Sequence, residues 1–237
     1  MEAVKAQLSG VYQIWYNEQT RKQIVDAFTP FHNPKLSEFF ENDVILNVVS
    51  QGKHKETDWF GVLSPEFFSK AATGGVRVTE LQKRLNDSLD MMTFTRSENT
   101  NMIKQGDNWH RVQNGSFSSI VQQVIRRAGI EWSVDDRLRL PIYNNYVIAR
   151  PWVWDRYVNE MLLPCMEVME NAEGEFRELL WQDAKYHKSR RKSVQAHLQA
   201  NFGVPHYPLH TFICERFWSV WVEMNWGDVR VKKYWEA

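Results

Sequence analysis

The stretch from Arg137 to Met169, RLRLPIYNNYVIARPWVWDRYVNEMLLPCMEVM, constrains the chain most. It reads as a strand, a two-residue turn and a long helix. Tyr143, Tyr146, Val147 and Ile148 suit a pleated, largely buried strand. Arg150-Pro151 stops it, because Pro151 has no N–H for a ladder but fits the first position of a helix. The helix then carries Trp154, Val158, Met161, Leu162, Cys165 and Met169 along one face. A strand feeding directly into a helix is the unit of an α/β sheet, and such sheets meet ligands at the carboxyl ends of their strands. Asn144 and Asn145 enter the strand as uncharged groups with several hydrogen bonds to give and accept.

The rest of the chain supplies further strands and helices. Val11 to Tyr16, VYQIWY, is a short strand, and Asn17 to Thr20 is a polar turn that caps a helix over Arg21–Ala27. Phe28 to Lys35 reads as a proline-punctuated loop. Ser37 caps a helix to about Val49, which Gly52 ends. Trp59 to Leu63, WFGVL, is the second strand. Gly61 within it marks a close backbone approach or a bulge. Ser64-Pro65-Glu66 then restarts a helix, Gly74-Gly75 breaks the chain, and Thr79 opens another helix. Leu89 to Thr95 is the third strand, followed by a long polar loop, Arg96 to Gly115. Ser116 caps the helix FSSIVQQVIRRAG. Beyond Glu173 the chain is polar, with a basic cluster of Lys185, His187, Lys188, Arg190, Arg191 and Lys192. Thr211 opens the helix TFICERFWSVWVEM, and Val229 to Tyr234 reads as an edge strand whose lysines discourage further pairing. This order predicts one α/β/α sandwich over residues 1–237, with a mostly parallel central sheet and a helical portion from about 151.

Composition removes several classes. The 237 residues carry zero formal net charge, which argues against nucleic acid or an anionic membrane as partner. No apolar run is long enough to span a bilayer and no signal peptide is visible, so the expected location is cytoplasmic. Cys165 and Cys214 lie on apolar helical stretches and read as small buried residues. Eleven tryptophans serve packing first, and can also stack on sugar rings or bases. His206 and His210 lack the helix and glutamate of a zinc motif, and no G-x-S-x-G or glycine-rich phosphate loop is present.

Two constellations remain. Glu215-Arg216 sits at the first turn of a late helix, where a carboxylate binds a hydroxyl or acts as a base; an ion pair or a surface charge is the alternative. Asn144 and Asn145, with Tyr12 and Tyr16 at strand ends, suit a sugar or nucleotide, with packing as the alternative.

The segments VYQIWYNEQTRKQIVDAFTPFHN, DWFGVLSPEFFSK, LDMMTF, YNNYVIARPWVWDRYV and YPLHTFICERFWSVWV resemble, in order and spacing, bacterial and phage proteins of surface-polysaccharide loci that are glycosyltransferase-like. The resemblance implies a GT-A-like fold binding a nucleotide-sugar donor and a saccharide or other hydroxyl acceptor. Under it, Tyr12, Gln13 and Tyr16 contact the nucleotide. Asn144 and Asn145 bind sugar hydroxyls, Glu215 is the base or hydroxyl anchor, and Arg216 faces phosphate or carboxylate. Such enzymes usually hold a manganese or magnesium ion with Asp-x-Asp. That motif is missing; the nearest acids are Asp87 and Asp90, Asp135-Asp136, and Glu41/Asp43. A single carboxylate, the basic cluster around Arg190, or loss of catalysis would each account for this. A non-catalytic carbohydrate- or nucleotide-binding relative and a phage nucleic-acid-modifying protein stay open as alternatives.

Overall fold

A strand that is apolar at every position must be covered on both faces. Val147–Ala149 is such a strand, fully buried, and it lies inside a six-stranded sheet. The computed structural model describes residues 8–34, 37–71, 77–95, 100–110, 112, 115–135 and 137–235. The strands are β1 (Leu8–Trp15), β2 (Phe28–His32), β3 (Phe60–Leu63), β4 (Met91–Thr93), β5 (Val147–Ala149) and β6 (Val231–Lys233), ordered β2-β1-β3-β5-β4-β6. β1 runs parallel to β2 and β3, and β4 parallel to β6. Only β5 runs against its neighbours β3 and β4. The fold is therefore α/β with a mostly parallel, mixed sheet.

The helices are α1 (Glu18–Arg21), α2 (Glu41–Ser50), α3 (Phe67–Ala71), α4 (Val78–Arg84), α5 (Met102–Trp109), α6 (Phe117–Arg127), α7 (Pro151–Tyr157), α8 (Leu163–Glu170), α9 (Gly174–Trp181), α10 (Lys192–Phe202), α11 (Leu209–Cys214) and α12 (Phe217–Met224). Alternation along the strands splits the core in two. Ile14, Phe60, Val62, Met91, Val147 and Ala149 face the larger cluster, with α2, α6, α7, α8 and α12. Val11, Leu63, Met92 and Ile148 face the smaller one, with Phe67, Leu81, Phe94, Tyr146 and Tyr234. In the larger cluster the Trp154 indole N–H donates to the Phe60 carbonyl at 2.9 Å, and Trp218 stacks on Tyr157 with centroids 3.5 Å apart. Trp154, Trp218 and Trp221 are fully buried, so these three tryptophans are core.

Local signals give two of the expected starts, at Ser116 and Pro151, while Asn17 caps a helix that begins at Glu18 and not at Arg21, and α2 begins at Glu41 without the Ser37 cap. Asn17 and Ser116 cap α1 and α6 with reciprocal hydrogen bonds, and Pro151 occupies the first turn of α7. Gly61 lies where an added Cβ would stand 2.8 Å from the Val147 carbonyl, the close approach expected of it. Both cysteines are buried and free, and burial pushes the Cys165 thiol up to about 12.

Several expectations need correction. Phe28–His32 is a strand, not a loop. Pro30 is tolerated because β2 is an edge, where a missing N–H costs no central ladder bond. The helix expected over Arg21–Ala27 is the single turn α1, because the chain must turn back into β2. The loop after β4 contains α5, and the strand expected from Tyr143 begins only at Val147. The long helix from Pro151 passes through a wide π-helical turn, Val158–Leu162, which accommodates Pro164 and its missing N–H. The helix expected from Thr211 is two helices, broken at Glu215-Arg216, where Arg216 N–H bonds back to Ile213 in a tight turn. Gly74, Gly75, Glu98 and Asn99 lie outside the described residues. No helix among the described residues is long and apolar enough to cross a membrane.

Filling the space at Gly61 tests the sheet. Gly61→Val is expected to lower the free energy of unfolding by about 1–3 kcal/mol, read as a shifted midpoint in urea denaturation.

Candidate functional site

The strand order places a switch point between β1 and β3. The chain leaves β1 for β2 on one side, then returns to β3 on the other. Loops diverge at such a point, leaving a crevice at the carboxyl ends of the strands. Tyr16 leaves β1 there, and Ser64, Pro65 and Glu66 leave β3. Because β5 is antiparallel to β3, its entry residues Tyr143 to Tyr146 arrive at the same edge. The amino end of α2 brings Glu41 and Asn42, α3 brings Lys70, and the α11–α12 break brings Glu215 and Arg216.

These groups form one electrostatic cluster. Burial pushes the Glu41 carboxyl up to about 7; Lys70 opposes the rise, while Glu215 and Glu66 add to it. The Asn145 amide favours the charged form of Glu41 and donates to Asn42 Oδ1 at 3.3 Å. Asn145 is 4% exposed, and its own Oδ1 is buried without a partner. Lys70 pairs with Glu66 at 3.1 Å. Burial works against its charge, but Tyr146, Glu41 and Glu66 outweigh that and hold the ammonium above its usual range. Tyr146 shares a 2.7 Å hydrogen bond with Ser64, and burial, reinforced by Glu41, raises its phenol. Burial likewise raises Tyr16, with Glu41 as the next cause. Tyr186, after α9, and Tyr207, before α11, approach with ring centroids 5.6 Å apart, and both feel Glu66 and Lys70.

Glu215 and Arg216 divide the remaining work. Burial raises the Glu215 carboxyl, while Arg216 and Lys70 lower it. Arg216 is not a surface charge but a buried one, 3% exposed. Its Nη1 donates to the Tyr143 carbonyl at 3.2 Å and to Glu215 at 3.4 Å, and its Nε is buried without a partner. Asn144 accepts from the Tyr146 N–H at 3.1 Å and from Thr95 at 3.4 Å, which fixes the turn into β5.

The structure thus brings Tyr16, Asn144, Asn145, Glu215 and Arg216 to one edge. It does not bring the other two expected residues there. Tyr12 lies between Phe31 and Phe60, and its hydroxyl feels Glu56. Gln13 is fully buried, and its amide is used by the backbone: Nε2 donates to Gln23 and Pro65 carbonyls, and Oε1 accepts from Val25 N–H at 2.9 Å. Gln13 braces the turn that carries Glu66 and touches nothing in the cluster directly. Glu66, Lys70 and Tyr146 are not singled out from the sequence as site groups, and Glu41 is named only among the acids nearest to an Asp-x-Asp. Ser64-Pro65-Glu66 directly after a strand was the one local signal for part of them.

Of the acids nearest to an Asp-x-Asp, Glu41 lies in the cluster, while the described aspartates are committed elsewhere. Asp90 takes Arg230 at 2.6 Å, Asp87 takes Arg150 at 2.8 Å, and Asp135 takes Lys104 at 2.6 Å. Asp43 accepts from Phe39 N–H, and Asp136 lies outside the described residues. Among the described residues no three His, Cys, Asp or Glu side chains assemble as a metal-binding group. The described aspartates, each committed to another group, do not fit the ion the resemblance implies. His206 and His210 each donate to a backbone carbonyl, Trp181 and Glu38 respectively. In the basic cluster, Lys185 pairs with Asp183 at 3.1 Å. No protein-family model, curated protein or solved structure matches the chain.

The Glu41 environment has a cost for stability. In the fold the carboxyl binds a proton between pH 4.5 and about 7 that it releases in the unfolded chain. Stability therefore falls as pH rises through that window. Glu41→Gln removes the charge that burial penalises. The variant is expected to exceed the parent by about 1–3 kcal/mol at about pH 8 and to match it near pH 5, measured by thermal melts.

Proposed function

We propose that the protein is a glycosyltransferase that moves a sugar from a nucleotide-sugar to a saccharide or other hydroxyl acceptor. The observation that carries this reading is a neutral-range carboxyl, Glu41, set among asparagines and tyrosines at the β1–β3 switch point. A carboxyl poised near neutrality can take a proton from a hydroxyl at working pH. Amides and phenols beside it are the groups that orient sugar hydroxyls, and tyrosine rings offer faces for a pyranose or a base. The cluster lies at the carboxyl edge of a mostly parallel sheet, where nucleotide ligands of α/β proteins sit. The segment resemblance points the same way and adds the GT-A-like form of the fold.

In this reading Tyr16 lies on the nucleotide side. Asn144 shapes the turn, and Asn145 binds a hydroxyl through its unpartnered Oδ1. Glu215, held by Arg216, anchors a second hydroxyl. The Arg216 Nε, without a partner in the protein, is a donor for a ligand oxygen.

Calorimetry with uridine and guanosine diphosphates, with and without manganese, tests the donor half, and a radiolabel transfer assay tests the whole. Binding with transfer is expected. Binding without transfer would identify a non-catalytic relative, and neither would remove the reading. Asn145→Ala and Glu215→Gln are each expected to lower transfer by about tenfold to a hundredfold, the loss of one or two hydrogen bonds to substrate. Unchanged rates in both would overturn their roles.

A further inference from the structure

Three carboxylates stand at the switch point, and they are not equivalent. Glu66 is paired with Lys70 and Glu215 with Arg216. Among the described residues Glu41 has no ion-pair partner. Its backbone is held in place at some cost: Phe40, the residue before it, has φ +53° and ψ −118°, a region that side chains other than glycine rarely adopt. The Phe40 ring is kept there by Phe202 and Tyr207, at 5.1 and 5.6 Å. Asn145, itself fixed by Asn42, addresses the Glu41 carboxylate while its buried Oδ1 lacks a donor. A hydroxyl that donates to Asn145 Oδ1 would satisfy an atom the protein leaves unsatisfied, and would stand beside Glu41.

Resting on the glycosyl-transfer reading, we infer that Glu41, and not Glu215, is the residue that takes the proton from the acceptor hydroxyl. In the step the acceptor O–H bond breaks and its proton passes to a Glu41 carboxylate oxygen. The acceptor oxygen forms its bond to the anomeric carbon, and the bond from that carbon to the diphosphate breaks with its electron pair on the leaving group. Glu215, charge-paired with Arg216, remains a hydroxyl anchor. Asn145 is a positioning residue for both Glu41 and the hydroxyl.

The groups that face Glu41 set its titration. They are Tyr16 at the end of β1, Glu66 and Lys70 around α3, Asn145 and Tyr146 at the start of β5, Tyr207 from the segment before α11, and Glu215 at the α11–α12 break. Two of these are carboxylates and one is an ammonium, so the surroundings do not force ionisation. A proton acceptor must be unprotonated to work, so transfer rises with pH through a midpoint near 7.

The experiment measures pH–rate profiles of the parent, Glu41→Gln, Glu41→Asp and Glu215→Gln, with nucleoside diphosphate affinity by calorimetry and thermal melts for each. Carboxyl carbon resonances of the parent are followed across the same pH range. The expected result is a carboxyl that titrates near neutrality and vanishes in Glu41→Gln but persists in Glu215→Gln. Glu41→Gln is expected to lose about 10²–10⁴-fold in transfer and the rising limb of the profile, with nucleotide affinity unchanged. Glu41→Asp, which keeps the carboxylate, recovers part of the rate. Transfer by Glu41→Gln within a few-fold of the parent overturns the inference, as does a rising limb erased by Glu215→Gln alone. A parent that neither binds a nucleotide nor transfers a sugar overturns the glycosyltransferase reading beneath it, so the two failures are told apart.

Discussion

The reversal of β5 is the constraint on which the site depends. In a sheet of parallel strands, the residues that enter a strand lie at the edge opposite to those that leave it. Val147–Ala149 runs against β3 and β4, so Tyr143 to Tyr146 enter at the edge where Tyr16, Ser64 and Thr95 depart. The apolar run VIA secures this geometry, because its three side chains are buried on both faces of the sheet. The asparagine pair is thus held at the sheet edge by core packing on one side and by Asn42, Thr95 and the Tyr146 N–H on the other. Loops on a rigid scaffold are the usual place for binding groups, and here the scaffold reaches the polar residues themselves.

The same edge carries features that are unfavourable to folding. A lone carboxylate among tyrosines, a buried guanidinium with one nitrogen unpartnered, and a non-glycine residue at φ +53° each lower stability. None of them is needed to build the sheet or its two cores. Features that oppose folding at the end of a sheet are what a site adapted to a ligand presents, since function and maximal stability draw on the same residues. Two partly exposed pairings elsewhere differ in kind. Asp90 with Arg230 and Arg150 with Asp87 tie β4 to the chain before β6 and to the start of α7, and their hydrogen bonds close on each other.

What the sequence showed was local. Pro151 at the start of α7, the cap at Ser116, Gly61 in a crowded strand and the apolar core of β5 follow from a few neighbouring residues, and the structure carries each of them. What it hid depends on distant partners. Phe28–His32 is a strand because β1 lies beside it, despite Pro30. The break at Glu215-Arg216 has no glycine or proline to announce it; the buried Arg216 reaching for the Tyr143 carbonyl is a tertiary event. Gln13 read as a polar group on a nucleotide-facing strand, yet three backbone groups use its amide. Glu41 read as one acid of a helix, and only the approach of Asn145, Lys70 and Glu215 gives it a distinct character.

The wide turn in the helix after Pro151 settles a question of rotational phase. Its buried residues fall every fourth position, Val153, Tyr157, Met161, Cys165 and Met169, with Trp154, Val158, Leu162 and Met166 beside them. An α-helix advances about 100° per residue, so from Val153 to Met169 such a stripe would wind about 160° around the axis. One π-helical turn takes up roughly a residue of that excess and returns α8 to the side of the core that α7 covers. Removing a single residue from Val158–Leu162 would therefore do more than shorten the rod. It would swing Cys165 and Met169 away from the core cluster they belong to by about a quarter turn, while the sheet end of the helix stayed in place.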